Sequence, residues 1–298
     1  MIEKLGFSSN DRLIIINADD FGISHSTNQA CMNMFLNQSI SSASIMMPCV
    51  AAEEAAQFCK HSKEANVGIH LTLTSSENCA YRPVFQEYPL HSLIQEDGFL
   101  PNEVSMIEKY ANPDQVALEL DAQIKFALSL GVDLTHLDNH AGSLMGLITG
   151  RDFLEITFDL CVKYGLPFHL PKKTQDQPFF SRSQRELFKK RIESATNRGI
   201  MLIDNLIAFP YHLEKGENYE SLKAKLINVI LHIKPGITQI TIHPALISDE
   251  LKKLTSHFEK REMEYKLFND QQIKKLFETL NIKIISWRHI RDLQRSLD

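Results

Sequence analysis

Short apolar segments rich in β-branched residues alternate along this chain with longer segments of helical periodicity. The apolar segments predict strands at residues 13–17, 43–47, 67–71, 134–137, 167–170, 205–209, 238–242 and 282–286. Helices are predicted between them, at residues 25–37, 51–64, 113–130, 147–164, 183–197, 219–233 and 257–280. This alternation is typical of βαβ units, which build a parallel sheet.

Seven to eight strand–helix units in 298 residues favour an α/β fold of the (β/α) TIM-like barrel type, complete or incomplete, over an open doubly wound sheet. No linker or low-complexity tract divides the chain, so residues 1–298 are interpreted as one domain. The segment 74–112 interrupts the alternation. Because loops of this length inside a compact domain are usually functional, we expect it to wall a binding cleft.

Composition narrows the classes of partner. The formal net charge is −5 and the basic residues are dispersed, so no nucleic-acid partner is expected. There is no apolar run of membrane-spanning length and no signal sequence near Met1, which predicts a cytoplasmic protein with no membrane partner. The five cysteines include no C-x-x-C pair, which argues against a disulfide framework and a structural zinc cluster.

Candidate chemistry lies where predicted strands end. Asp19 and Asp20 follow the first strand, and His70 lies at the end of the third. His140 follows the fourth strand and His243 follows the seventh. The carboxyl ends of parallel strands open on one face, so these side chains are expected to converge on one site.

The segment Asn17-Ala-Asp-Asp-Phe-Gly22 places two adjacent carboxylates after an apolar strand. If the alternation of the strand continues, Asp19 and Asp20 point in different directions, so one can bind a metal while the other contacts the substrate or its water. A turn followed by a helix N-cap explains the same residues equally well.

The segment 135–140 carries His136, Asp138 and His140 at a spacing of two, which places them on one strand face. Two imidazoles and a carboxylate suit Zn²⁺, Co²⁺, Mn²⁺ or Fe²⁺, and an oxygen-rich shell completed by water also admits Mg²⁺. Three protein ligands leave positions for water and substrate, which indicates a catalytic site. The pattern leaves open whether His136 or His140 is the stronger ligand. His70 alone, in an apolar strand, is more often a core residue.

His243 precedes a proline that keeps its backbone extended, and it could protonate a leaving group or have no role. The other histidines are predicted to be solvated on helices and loops, with His212 retained as a candidate and His169 without an assigned role. There is no G-x-S-x-G elbow and no phosphate-binding glycine motif, which disfavours serine acyl transfer, nucleotide hydrolysis and dinucleotide redox chemistry.

The motifs together resemble those of the YdjC/ChbG-like carbohydrate deacetylases, a family related to the polysaccharide deacetylases. The resemblance rests on segments 17–22, 67–71 and 135–140 and, more loosely, on 242–244 and 261–267. Two positions depart from the family pattern. Ala141 follows His140 where some relatives continue with further histidines, and His169 stands where an arginine is often found.

The resemblance implies that Asp20, His70 and His140 bind a divalent metal ion and that Asp19 is the general base. The ion would be Mg²⁺ or Zn²⁺, with Co²⁺ or Mn²⁺ as further candidates. It also implies a (β/α) barrel, often a homodimer, that acts on N-acetylated sugars such as chitooligosaccharides.

The expected reaction is removal of an acetyl group by metal-activated water, with a proton from His243 for the departing amine. A sugar isomerase, a metal phosphoesterase or a non-catalytic carbohydrate-binding relative remains open, since one barrel can serve all of them.

Overall fold

The structure is a computed structural model that describes residues 1–176 and 180–297. Across these residues the sheet contains seven strands, all paired in parallel. They are β1 (Arg12–Phe21), β2 (Ser42–Ile45), β3 (Val67–Leu71), β4 (Leu134–Asn139), β5 (Asn205–Ala208), β6 (Gly236–Ile242) and β7 (Lys283–Ile284). The order across the sheet is β4-β3-β2-β1-β6-β5, and β7 pairs with β1.

Helices connect the strands in the α/β manner that the sequence predicts. They are α1 (His25–Leu36), α2 (Ala52–His61), α3 (Val104–Tyr110), α4 (Pro113–Ser129), α5 (Leu154–Tyr164), α6 (Arg182–Asn197), α7 (Tyr219–Leu231), α8 (Asp249–Leu254), α9 (Phe258–Asn269), α10 (Gln271–Thr279) and α11 (Trp287–Arg295). The predicted helix at 113–130 is confirmed. Asn112 caps its first turn, Pro113 occupies the first position, and Gly131 follows its end at φ 86°.

The central strand β1 is buried along nearly its whole length, as expected for a strand covered on both faces. Its first half pairs with β7, through Leu13 and Lys283, and its second half pairs with β2, through Asn17 and Ser42. Its apolar side chains belong to two buried clusters, the larger of which extends through β2, β3 and β4 to the helices.

The predicted strand at 167–170 is wrong as a regular strand, because only a single bridge joins Leu137 to Phe168. The chain then crosses toward β5, where the backbone N–H groups of Lys172 and Lys173 donate to the carbonyls of residues 203 and 204. Pro167 and Pro171 flank the segment and cannot donate to a ladder. Among the described residues, the strand ladder therefore leaves the barrel unclosed between β4 and β5.

Several predicted boundaries also differ from the structure. The helix expected at 257–280 is two helices, because Asp270 leaves the helical conformation (ψ 123°) and caps α10. The helix expected from 147 begins at Leu154, after turns that contain Gly146 and Gly150 at positive φ. The last strand is shortened to two residues, and α8 is additional.

The segment 74–112 contains α3 and is otherwise irregular. It is fixed to α4 by the buried side chain of Glu119, whose two carboxylate oxygens each accept a backbone N–H at 2.9 Å, from Val84 and from Phe85. Gln123, one turn further along, bonds both backbone groups of Thr72 at the end of β3. The segment is thus anchored beside the carboxyl ends of the strands.

Within the described residues, none of the helices combines the length and the apolar character needed to cross a membrane.

Candidate active site

The carboxyl ends of β1, β3, β4 and β6 open onto a cleft of about 530 Å³. Its lining includes all five residues that the sequence singles out: Asp19, Asp20, His70, His140 and His243. The expected convergence of strand ends is therefore confirmed. Segment 75–77, from the long connection after β3, forms part of the wall.

The backbone of β1 changes direction at its two carboxylates. Asp20 lies at φ 62°, in the left-handed region, and the pairing with β2 shifts register between Ala18 and Phe21. Such irregularities re-aim side chains and interrupt strand alternation. Both carboxylates consequently line the cleft, but on different sides of His70: Asp20 Oδ1 is 3.5 Å from Nε2 and Asp19 Oδ2 is 4.0 Å from Nδ1.

The ring of His70 is oriented by Asp138, whose Oδ1 lies 2.7 Å from Nδ1. Burial by itself would lower the pKa of His70, but the carboxylates of Asp138 and Asp19 raise it to about 10. In turn, the positive charge of His70 holds the pKa of Asp138 well below its usual range, against the effect of burial, which would raise it. A carboxylate on one ring nitrogen is the arrangement that orients metal-binding histidines and leaves the other nitrogen for the ion.

His140 faces His70 across the cleft floor, with ring centroids 5.6 Å apart. Its Nδ1 lies 2.9 Å from Thr74 Oγ1, which leaves Nε2 for another partner. Burial lowers the pKa of His140 to about 4, so the ring is neutral and keeps a lone pair. The residue begins a 3₁₀ turn, so the strand pattern that it was expected to share with His136 ends at Asn139.

His136 lies deeper in the barrel and is fully buried. Its ring stacks on Trp287 at 4.8 Å and 11°, and its Nε2 is 3.8 Å from Asp138 Oδ2. It is absent from the described lining of the cleft, whereas His140 belongs to it. Of the two histidines that the sequence left open, His140 is the one in a position to contact a ligand.

Asp20 is held from its far side by Arg261 of α9. The guanidinium NH2 atom lies 2.5 Å from Asp20 Oδ2, and both side chains are buried. Burial would raise the pKa of Asp20, but Arg261 and then His243 hold it well below its usual range. The same NH2 atom donates to the hydroxyl of Tyr211 at the cleft mouth. Asp20 is therefore ionised, with Oδ1 directed toward His70.

Asp19 lies in a different electrostatic environment. Its Oδ1 accepts a hydrogen bond of 2.7 Å from Asn17 Nδ2. Burial and the neighbouring Asp138 raise its pKa to about 8, although His70 acts in the opposite direction. A carboxyl group with a pKa near neutrality can both accept and release a proton at the pH of the cell.

His243 stands at the end of β6 with one fifth of its side chain exposed. Its backbone N–H donates to Glu264 at 2.7 Å, and its ring packs edge-on against Tyr211 at 5.2 Å. Burial, opposed by the charge of Asp20, lowers the pKa of the imidazole to about 4. The ring is neutral at pH 7 and directed into the cleft.

The two remaining histidines of interest lie outside this cleft. His169 lines a neighbouring cavity, and both of its ring nitrogens are buried without a hydrogen-bond partner among the described residues. His212 is exposed next to Tyr211, outside the cleft lining that the structure describes.

Asp138 and Arg261 are supporting residues; the sequence placed Asp138 among the candidate metal ligands and gave Arg261 no role of its own. Asp138 shares the spacing of two with His136, and that pattern could have identified it as a partner of His70. Arg261 lies 241 residues from Asp20 on a helix of mixed polarity. Its only indication was the loose resemblance of segment 261–267.

Comparison with known proteins agrees with this architecture. The family model for YdjC-like proteins matches residues 13–279. This chain belongs to the YdjC-like family. A carbohydrate deacetylase of Thermoanaerobacter pseudethanolicus is 28% identical over 276 residues, which are 93% of this chain and 98% of that protein. A carbohydrate deacetylase of Listeria monocytogenes is 26% identical over 281 residues, covering 93% and 99%.

A solved structure shows the same fold. The crystal structure of a protein from Enterococcus faecalis V583 superposes with a TM-score of 0.75 at 23% identity, covering 94% of this chain and 99% of that one. The fold of this chain therefore also occurs in a protein of known structure.

Proposed function

We propose that this protein is a divalent-metal-dependent carbohydrate N-deacetylase that hydrolyses the acetamido group of N-acetylated sugars. The observation that carries the proposal is the cleft in which His70 Nε2 faces Asp20 Oδ1 while Asp138 holds the opposite ring nitrogen. Relatives named carbohydrate deacetylase align with nearly the whole chain, which supports the same reaction class.

We assign Asp20, His70 and His140 as the metal ligands. A second group of side chains competes, because ligand atoms of Asp19, His70 and Asp138 lie within 4.8 Å of one another. In that group, however, the nitrogen of His70 that faces both carboxylates is Nδ1, which is already engaged with Asp138 at 2.7 Å. In the protonated ring both nitrogens carry a proton, but the hydrogen bond to Asp138 holds the proton on Nδ1, so Nε2 is the nitrogen that can lose its proton to an ion.

The donor chemistry fits an ion of the Zn²⁺ or Mg²⁺ type, with Co²⁺ or Mn²⁺ as further candidates. Two imidazoles and one carboxylate are suited to Zn²⁺ and Co²⁺, and water would complete an oxygen-rich shell for Mg²⁺ or Mn²⁺. When bound, the ion would act as a Lewis acid on the acetyl carbonyl and on water.

Asp19 is assigned as the general base that takes a proton from the attacking water. Its pKa of about 8 in the metal-free protein lies close to neutral pH, where a base is most effective. A bound cation nearby would lower this pKa and favour the carboxylate form. Asn17 keeps the carboxylate in position through its hydrogen bond to Oδ1.

His243 is assigned to the departing amine. Because the ring is neutral at pH 7, it first takes a proton from solvent, which reaches the partly exposed side chain, and then passes that proton to the nitrogen as the C–N bond breaks, which returns it to the neutral form. Tyr211, packed edge-on against His243 and His257, offers an aromatic surface for a sugar ring at the mouth. Glu77 and Thr255, also in the lining, can hydrogen-bond sugar hydroxyls.

The test is acetate release from N-acetylglucosamine and its oligomers by wild type, His70→Ala and His140→Ala, with phosphate release and ketose formation measured in parallel. We expect both variants to lose metal binding and at least 99% of turnover, since each removes one of three ligands. His91→Ala is the matched control, because it lies at an exposed position of the segment 74–112, called the wall segment below. Full activity in either ligand variant, or phosphate or ketose as the wild-type product, would reject the proposal.

A further inference from the structure

A second chamber of about 530 Å³ opens on the β5 side of the catalytic cleft. The two cavities have Asp19, Asn139 and His243 in common. The boundary between them is thus formed by the proposed base and the proposed proton donor. If an amide bond is hydrolysed between Asp19 and His243, one of its two substituents lies in the catalytic cleft and the other in the second chamber.

The walls of the two spaces differ in chemistry. The cleft presents hydroxyl, carboxylate and aromatic groups from Ser76, Glu77 and Tyr211. The second chamber adds apolar side chains, among them Met145, Leu147, Phe180, Ile207 and Ala208, to polar ones such as Lys173, Thr174 and Asn205. Four of the apolar residues come from the turns after β4 and from the end of β5, and Leu147 among them keeps 38% of its surface exposed.

An amide substrate has two ends with contrasting needs. The sugar carries hydroxyl groups that require hydrogen-bond partners, while an acyl chain is stabilised by removal from water. We propose that the second chamber binds the acyl group and that the enzyme hydrolyses N-acyl sugars whose chains are longer than acetyl. This inference rests on the proposed function, because it assigns the two ends of the same reacting amide.

The size of the chamber supports the longer chain. Cavities of about 300–1,000 Å³ accommodate drug-sized ligands, and an acetyl methyl would fill only a small part of this one. In the reaction, the oxygen of water bonds to the acyl carbon and the amide C–N bond breaks. One proton of water reaches the amine, and the products are a fatty carboxylic acid and the free amino sugar.

His169 is one of the polar residues that line this chamber. Its two ring nitrogens are buried and have no hydrogen-bond partner among the described residues. Buried polar groups are normally satisfied, so an ordered water or a polar group of a ligand would complete them. The position therefore also indicates that the chamber receives a ligand.

The first experiment compares N-acetyl-, N-butanoyl- and N-hexanoylglucosamine, with kcat/KM followed through the free amine that all three release. Each methylene taken out of water should raise kcat/KM by up to about fourfold, so the hexanoyl substrate is expected to exceed the acetyl substrate at least tenfold. A lower kcat/KM for the butanoyl than for the acetyl substrate would overturn the inference while leaving the deacetylase proposal intact. Release of no amine from any substrate would remove the proposed function and, with it, the inference.

The second experiment fills the chamber. Ala208 is an exposed residue of β5 that lines it, so Ala208→Trp adds volume there without displacing core side chains. We expect kcat/KM to fall at least tenfold more for the hexanoyl than for the acetyl substrate. Leu231→Trp, on the exposed surface of α7, is the matched control and should leave the ratio of the two substrates unchanged. An equal loss for both substrates in Ala208→Trp would contradict an acyl role for the chamber.

Discussion

His70 occupies the centre of the site because each of its ring nitrogens has a different environment. Nδ1 bonds the ionised Asp138, and Nε2 faces Asp20 at a distance longer than a good hydrogen bond. The carboxylates around the ring keep it protonated in the absence of an ion, with a pKa of about 10. An arriving cation therefore has to displace the proton on Nε2.

That displacement makes metal affinity depend on pH. Because the pKa of His70 is raised to about 10, above its ordinary value, the metal-free form is protonated throughout the neutral range and binding releases at least one proton. The apparent affinity should consequently rise with pH, by about tenfold per unit. Mn²⁺ titrations at pH 6, 7 and 8, followed by electron paramagnetic resonance, measure this slope. Affinity that stays constant across this range would show that His70 Nε2 does not bind the ion.

The residues that line the cleft could be predicted from the sequence, but the residues that hold them in position could not. Asp20, His70 and His140 are polar residues at strand ends, and the topology of any parallel sheet brings such positions together. Arg261 reaches Asp20 from a helix, and its contact depends on how α9 packs over the barrel. The positive φ of Asp20 is likewise a property of the folded chain, since aspartate only tolerates that conformation.

At the scale of elements, the wall segment is fixed by side chains of α4. Glu119 is fully buried and accepts the backbone N–H groups of Val84 and Phe85, while Gln123 bonds Thr72. The same helix thus holds both the wall segment and Thr72, which lies two residues after His70 at the end of β3. The segment therefore behaves as part of the scaffold of the cleft.

Removing this anchor should loosen the wall. In Glu119→Ala the two backbone N–H groups lose their acceptor, so the free energy of unfolding is expected to fall by about 2–3 kcal/mol. Amide exchange at Val84 and Phe85 should accelerate, and KM for the sugar should rise more than kcat falls. Glu96→Ala, at an exposed position of the same segment, is the control. Unchanged exchange at the two amides in Glu119→Ala would contradict the anchoring role.

The ends of helices and strands could be predicted where residues close in the sequence, such as caps, prolines and glycines, determine them. The helix at Pro113 has its cap, its first-turn proline and its terminal glycine in the sequence, and the structure reproduces all three. The segment 167–170 has the apolar character of a strand, but its prolines prevent a ladder. The break at Asp270 between α9 and α10 was hidden because helical periodicity continues across it.

For the whole molecule, Trp287 joins the C-terminal helix to the barrel interior. It is fully buried, stacks on His136, and donates from Nε1 to Gln239 at 2.8 Å and from its backbone to Ser42 at 3.0 Å. These contacts lie where β1 changes its partner from β7 to β2. The indole thus fills the barrel below the proposed metal site.

Two substitutions separate the packing of this tryptophan from its hydrogen bond. Trp287→Ala should lower the free energy of unfolding by about 3–5 kcal/mol through the cavity it creates. Trp287→Phe keeps most of the volume but leaves Gln239 without its donor, and should cost about 1–2 kcal/mol. Because this is the single tryptophan of the chain, urea unfolding is best followed by circular dichroism. Equal losses in the two variants would contradict the cavity argument.

The central claim is that a divalent ion binds between Asp20, His70 and His140. Anomalous X-ray diffraction at the absorption edge of Zn²⁺, from crystals grown with that ion, tests it most directly. The account predicts a single peak at about 2.0–2.2 Å from His70 Nε2, a nitrogen of His140 and Asp20 Oδ1. A peak on the other side of the ring, bound by His70 Nδ1 with Asp19 and Asp138, would contradict it.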